Sequence, residues 1–246
     1  GSLVAFAGVI TSGLLKSDIP GAISYPLAIL AGLIFGAFSG GVAGMFVTRF
    51  RITPFIVTLA LMTIWRGAAF VATEGRPIWE LPEGFAMLAR GRVLEIPIPT
   101  LVMLAVYAVA HVVLTQTRFG RYVYAVGGNI EAARLAGIPT QRVLMNVYVI
   151  SGFLSALSGI LLASRVNSGQ PNSGLMYELD VIAAVVVGGT SLFGGRGTVV
   201  GTLIGSLLIG VLRNGLNLMN IESYVQQVIV GVVILLAVMM DRLRRG

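Results

Sequence analysis

Residues Ser24 to Thr48 read SYPLAILAGLIFGAFSGGVAGMFVT, twenty-five positions without a charged side chain. A helix rising 1.5 Å per residue needs about 20 apolar residues to cross the hydrocarbon core of a bilayer. This stretch is long enough. It is apolar all round, so a helix built from it has no face suited to water.

Working outward, the stretches between charges fall near 1–15, 24–48, 53–73, 97–116, 143–164, 179–193, 198–217 and 223–240. The second, fourth and fifth are unambiguous, each more than 20 residues without a charge, and the third is interrupted by Arg66. The sixth is short and rich in glycine, which predicts a broken or partly re-entrant span. Composition agrees: 56% of the chain is hydrophobic and 11% charged, with a mean hydropathy of +0.91. A soluble domain carries about 25% charged residues because its surface faces water. The expected fold class is therefore all-α, a polytopic transmembrane bundle of about eight spans. Residues 1–246 read as a single membrane domain.

If the eight segments alternate, one side receives Arg49, Arg51, Arg118, Arg121, Arg134, Arg142, Arg196, Arg242, Arg244 and Arg245. The other receives Lys16, Arg76, Arg90 and Arg92, with Glu74, Glu80, Glu83 and Glu95 in its loop 74–96. Ten basic residues against four place the first side, and with it both termini, in the cytoplasm. The net charge of +7 is thus a matter of topology. The arginines form no continuous stripe, so nucleic acid is excluded as a partner. Gly32, Gly36, Gly40 and Gly44 repeat every fourth residue, a ridge along which membrane helices approach closely.

Chemistry of the enzymatic kind finds little footing. There is no cysteine, and His111 is the only histidine, so no catalytic residue and no metal site is assigned. Gly188 to Thr198 lacks the lysine of a phosphate-binding loop and reads as an irregular turn after the sixth span. Arg165 and Arg213, at span edges, are expected to snorkel to the outer headgroups. Arg66 lies deeper and is expected to face the bundle interior and pair with a carbonyl or carboxylate. The outer loop 166–177 holds Asn167, Gln170 and Asn172 and no cation. With Arg66, these are candidates for the path of an uncharged polyol; an ordinary polar turn is the alternative.

The second inner loop, 117–142, is the most informative. Asn129 can cap a helix, Glu131 suits its first turn, Gly137 can take the left-handed position at its end, and Pro139 stops continuation. A separate helix over 130–136 follows, with Ala132, Ala133 and Ala136 giving it a smooth surface.

Glu131-Ala132-Ala133-Arg134-Leu135-Ala136-Gly137-Ile138 resembles the E-A-A-x-x-x-G coupling loop of ABC importer permeases. Gly120 to Asn129 (GRYVYAVGGN), Tyr177 to Asp180 (YELD), Val187 to Leu192 (VGGTSL), Gly201 to Gly205 (GTLIG) and Asn214 to Asn217 (NGLN) are similar to the ribose/xylose/arabinose type. The resemblance spans nearly the whole chain. It implies a permease subunit, not an enzyme, in the bacterial inner membrane, passing a pentose, hexose or related polyol. It implies as partners a second permease subunit, cytoplasmic ATPases and a periplasmic sugar-binding protein, with ATP and Mg on the ATPases and no cofactor here. Asn129, Glu131, Ala132, Ala133, Arg134, Gly137 and Ile138 are the implied ATPase-coupling residues. Such permeases carry further N-terminal spans ending in G-I-D-L-S-V-G-S, whose last two residues match Gly1-Ser2, so missing spans are expected ahead of this sequence. The nearest competing class is the branched-chain amino-acid permease; a channel or ion-coupled carrier lies further off.

Overall fold

The computed structural model describes residues 1–17 and 21–243. Eleven helices appear among them: α1 (Ser2–Leu15), α2 (Gly21–Thr48), α3 (Pro54–Ala72), α4 (Glu83–Arg90), α5 (Ile98–Gln116), α6 (Arg118–Gly128), α7 (Ile130–Leu135), α8 (Thr140–Val166), α9 (Tyr177–Val187), α10 (Val199–Leu218) and α11 (Ser223–Leu243). Four two-residue strands complete the described elements: β1 (Ile78–Trp79), β2 (Arg92–Val93), β3 (Ile96–Pro97) and β4 (Ser168–Gly169). Each of the eight apolar stretches contains a helix. Five, in α2, α3, α5, α8 and α10, are long and apolar enough to cross a membrane; Ser2–Leu15 and, within α11, Ser223–Met239 are shorter apolar helical stretches. At 11 residues α9 is about 16 Å long, half the hydrocarbon thickness, which matches the short sixth element. Arg244 and Arg245, counted in the charge asymmetry, lie outside the described residues.

The chain divides into two compact units. One comprises Gly1–Met103 with Gln141–Leu175, the other Leu104–Thr140 with Met176–Gly246.

In the first unit the glycine ridge of α2 meets α8. Gly44 lies against Met145 and Gly32 against Ile160, so the two helices run antiparallel. A methyl group on Gly40 would overlap the Tyr148 carbonyl, and one on Gly152 would overlap the Gly36 carbonyl. Backbones thus touch where a side chain would hold them apart. Helix α1 joins through Gly8 against Gly159 and through Thr11, whose hydroxyl donates to the Ala28 carbonyl at 3.3 Å. Phe6, Phe35 and Trp65 tie α1, α2 and α3 with centroid separations of 4.9–5.9 Å, the range in which aromatic pairs attract.

Loop 74–96 contains more structure than its charge suggests. Helix α4 drives Phe85, 1% exposed, into a cluster with Leu15, Ala28, Leu81, Ile160 and Ala163. The Ser164 hydroxyl donates to the Phe85 carbonyl at 2.7 Å. β1 pairs antiparallel with β4, Ile78 opposite Gly169, which brings loops 74–96 and 166–177 to the same end, as alternation of the first five spans requires.

In the second unit α9 packs between α10 and α11 through Ala183, Ala184, Ile209 and Val230. A methyl on Gly205 would overlap the Ala184 carbonyl, and one on Gly201 the Gly188 carbonyl. These contacts make α9 and α10 an antiparallel hairpin. Outward faces are apolar: Val211 is 70% exposed on α10, Leu235 70% on α11 and Phe55 70% on α3. Helices of this length with such faces are at rest only in lipid or against another apolar surface. The molecule is a multi-pass membrane protein.

Candidate functional site

The short helix in loop 117–142 forms where the caps place it. The Asn129 carboxamide oxygen accepts from the Ala132 amide at 2.9 Å. At the far end Gly137 adopts φ +79°, its amide donates to the Arg134 carbonyl, and the Ile138 amide donates to the Ala133 carbonyl, both at 3.0 Å. This is the paired closure that a left-handed glycine permits. Glu131 and Arg134 bridge at 2.7 Å with both side chains 64% exposed; a pair so open to solvent organises the surface more than it stabilises.

Of the implied coupling residues, Asn129, Glu131, Ala132, Arg134 and Gly137 are exposed and Ile138 is half-buried. Ala133 is 4% exposed and turns against its own chain. The presented surface instead includes Ile130, 45% exposed, and Leu135, 87% exposed. Sequence reasoning chose the alanines for smoothness and passed over Leu135, the most solvent-directed apolar side chain of the helix.

Helix α6, just before it, was not expected. Thr117 caps it by accepting from the Gly120 amide at 3.2 Å, and that cap was the available signal. The Tyr124 hydroxyl donates to the Gly197 carbonyl at 2.9 Å. Residues 188–198 are the irregular turn expected, with Gly189, Gly194 and Gly195 in the left-handed region.

In the first unit Arg66 behaves as the cost of a membrane cation predicts. Its Nη1 donates to the carbonyls of Pro171 at 2.7 Å and Ser173 at 2.8 Å. The loop so held contains all three candidate amides. Asn167 has φ +55° and a buried Oδ1 that finds no partner among the described residues. Gln170 donates through Nε2 to the Ser168 hydroxyl at 3.0 Å. Asn172 is exposed. Arg66 on α3 and the three amides therefore meet at one loop, but only Asn172 among the amides is presented outward.

Arg213 corrects its expectation. It does not extend away from the bundle: its guanidinium pairs with the Asp180 carboxylate across the α9–α10 hairpin, the side chains 35% and 17% exposed. A carboxylate within reach holds the cation better than a headgroup beyond the helix end.

Backbone-to-backbone helix contacts, a half-length helix in a hairpin, and a capped helix between spans define a polytopic helical membrane bundle. A model of the family described as branched-chain amino acid transport system / permease component matches residues 1–238. The chain belongs to this family. It is 45% identical over 245 residues to a ribose import permease protein of Haemophilus influenzae, covering 98% of this chain and 75% of that one. It is 47% identical over 244 residues to a ribose import permease protein of Bacillus subtilis, covering 98% and 74%. An L-arabinose ABC transporter permease protein of Azospirillum brasilense is 40% identical over 245 residues, covering 100% and 71%. No solved structure matches. The chain is a transport permease, not an enzyme.

Proposed function

We propose that this chain is the membrane-spanning subunit of an ATP-driven importer and forms the path of a sugar. The observation that carries the reading is similarity, over nearly the full chain, to permeases named for ribose and arabinose. Residues 1–246 act as one permease domain, paired with a second permease subunit. Helix α7 faces the cytoplasm and seats on an ATPase subunit that holds ATP and Mg. Loop 166–177 faces the periplasm and receives sugar from a binding protein, with Arg66 fixing the loop and Asn167, Gln170 and Asn172 supplying neutral polar groups to a polyol. Both termini are cytoplasmic, in the inner membrane of a bacterium.

Membrane vesicles containing the chain with its ATPase and binding protein test this. ATP-dependent uptake of labelled ribose or arabinose is expected, and Leu135→Asp is expected to weaken ATPase association. Uptake of leucine in place of either sugar would move the protein to the amino-acid branch of the family. Because the chain has no cysteine, orientation is read with single replacements. Glu83→Cys should react with an impermeant thiol reagent in intact cells, and Glu131→Cys should react only after lysis.

A further inference from the structure

We propose that Tyr124, Gly127, Gly194 and Gly195 form a rigid joint that makes helix α7 and half-helix α9 move as one body. The proposal rests on the reading of α7 as the element the ATPase moves. Its basis is an unbroken series of short backbone contacts within the second unit.

Between α7 and α6 there is no slack. Asn129 ends α6, its amide donating to the Ala125 carbonyl at 3.1 Å, and the same residue's side chain caps α7. Toward its C-terminal end α6 locks onto the turn between α9 and α10. A methyl on Gly127 would lie 2.7 Å from the Gly195 nitrogen, and one on Gly194 would lie 2.5 Å from the Gly127 carbonyl oxygen. The Tyr124–Gly197 hydrogen bond pins the same turn one helical turn earlier on α6.

Internal bonds stiffen the turn itself. The Ser191 amide donates to the Arg196 carbonyl at 3.0 Å, and the Gly194 amide to the Ser191 carbonyl at 3.2 Å. Helix α9 runs into it through Gly189 and Thr190, whose amides donate to Val186 and Val185, both at 2.9 Å. Helix α10 leaves it capped by Thr198, which accepts from the Gly201 amide at 3.0 Å. Close-packed backbone transmits displacement, whereas side chains on a compliant surface would absorb it. A shift of α7 therefore carries the end of the half-helix with it.

Gly127→Ala tests the joint with little local penalty, since alanine suits a helix better than glycine. Gly128→Ala is the control, because its added methyl meets only the Gly195 Cα, at 4.0 Å. Tyr124→Phe removes the hydroxyl alone and decides the matter if Gly127→Ala fails to reach the membrane. Spin labels at Leu135→Cys and Leu192→Cys, both exposed, report the distance between α7 and the turn in the chain embedded in its membrane, while uptake and ATPase association are read in the same variants without the label cysteines. In Gly127→Ala and Tyr124→Phe that distance distribution should broaden and ribose uptake should fall about tenfold, with ATPase association unchanged; Gly128→Ala should match the parent. A narrow distribution and parental uptake in both test variants would overturn the joint. Failure of the parent chain to bind the ATPase would instead remove the importer reading, and the spin-label result would still decide the joint.

Discussion

Arg213 on α10 and Asp180 in the first turn of α9 stand 33 residues apart in sequence and form one ion pair across the hairpin. The pair sits at the opposite end of α9 from the glycine contacts of Gly188 with Gly201. The half-helix is thus held at one end by charge and at the other by backbone contact.

Breaking that pair leaves a charge in a poorly hydrated place. Asp180→Asn and Arg213→Gln should each destabilise the protein by about 1–3 kcal/mol, reduced by the partial exposure of the arginine. The double variant should be less damaged than the sum of the two, since neither charge is then stranded. Unfolding of the purified protein in mixed detergent micelles measures all four corners of the cycle.

The glycine ridge of α2 supports a sharper contrast between neighbours. A methyl on Gly40 would overlap the Tyr148 carbonyl, whereas one on Gly41 meets only Val149 Cγ2 at 3.8 Å. Gly40→Ala should cost about 1–3 kcal/mol through overpacking. Gly41→Ala should be neutral or slightly stabilising, because alanine loses less entropy in a helix. Equal stabilities for the two variants would show that α2 and α8 are not held by this ridge.

What was legible in the sequence was local or periodic. The span positions follow from uncharged length, the α2 ridge from its four-residue spacing, and the α7 boundaries from Asn129 and Gly137, whose effects reach only one turn. Arg66 was legible because its depth alone demands acceptors. Its actual partners, the Pro171 and Ser173 carbonyls, were not, since they lie 105 and 107 residues away. The Asp180–Arg213 pair was missed for the same reason: it depends on the register of two helices, which composition does not encode. Helix α4 was missed because eight amphipathic residues in a charged loop look like solvated chain until Phe85 finds its pocket. Ala133 was misplaced because one helical turn offers too few positions to tell the inner face from the outer one.

Arg66 donates to two carbonyls through the one nitrogen Nη1, so its replacements should separate charge from geometry. Arg66→Leu leaves two acceptors at Pro171 and Ser173 without this donor and should destabilise loop 166–177 by about 1–3 kcal/mol. Arg66→Lys keeps the charge but not the planar fork, and it should restore only part of the loss. Hydrogen exchange at residues 168–175 reads the loop directly. The same variants, with Asn172→Ala, should raise the sugar concentration giving half-maximal uptake; parental uptake with faster exchange would make Arg66 a brace for the loop alone.

Gly137 and Ala133 let α7 be loosened without disturbing the spans. Apart from its chain neighbours, no atom of the described residues lies within 4 Å of a methyl built on Gly137, but its φ is +79°. The penalty of a side chain there comes from the backbone alone. Gly137→Val forces a β-branched residue into the left-handed region, at roughly 1–2 kcal/mol, and opens the bonds that Gly137 and Ile138 make to Arg134 and Ala133. Gly137→Asn tolerates that conformation and should behave nearly as the parent. Ala133→Asp acts from the inner face. With the native side chain 4% exposed, the carboxylate must either be buried unpaired, costing about 1–3 kcal/mol, or push the helix off its seat. Both Gly137→Val and Ala133→Asp should reach the membrane at near-parental levels, since α2 packs on α8 through residues of the first unit such as Gly40 with Tyr148 and Gly36 with Gly152. Both should lose ATPase association and uptake together, and Gly137→Asn should keep both. Were Gly137→Val and Ala133→Asp to bind the ATPase and transport sugar like the parent, α7 would be an ordinary loop helix, and the coupling surface would have to lie elsewhere on the chain.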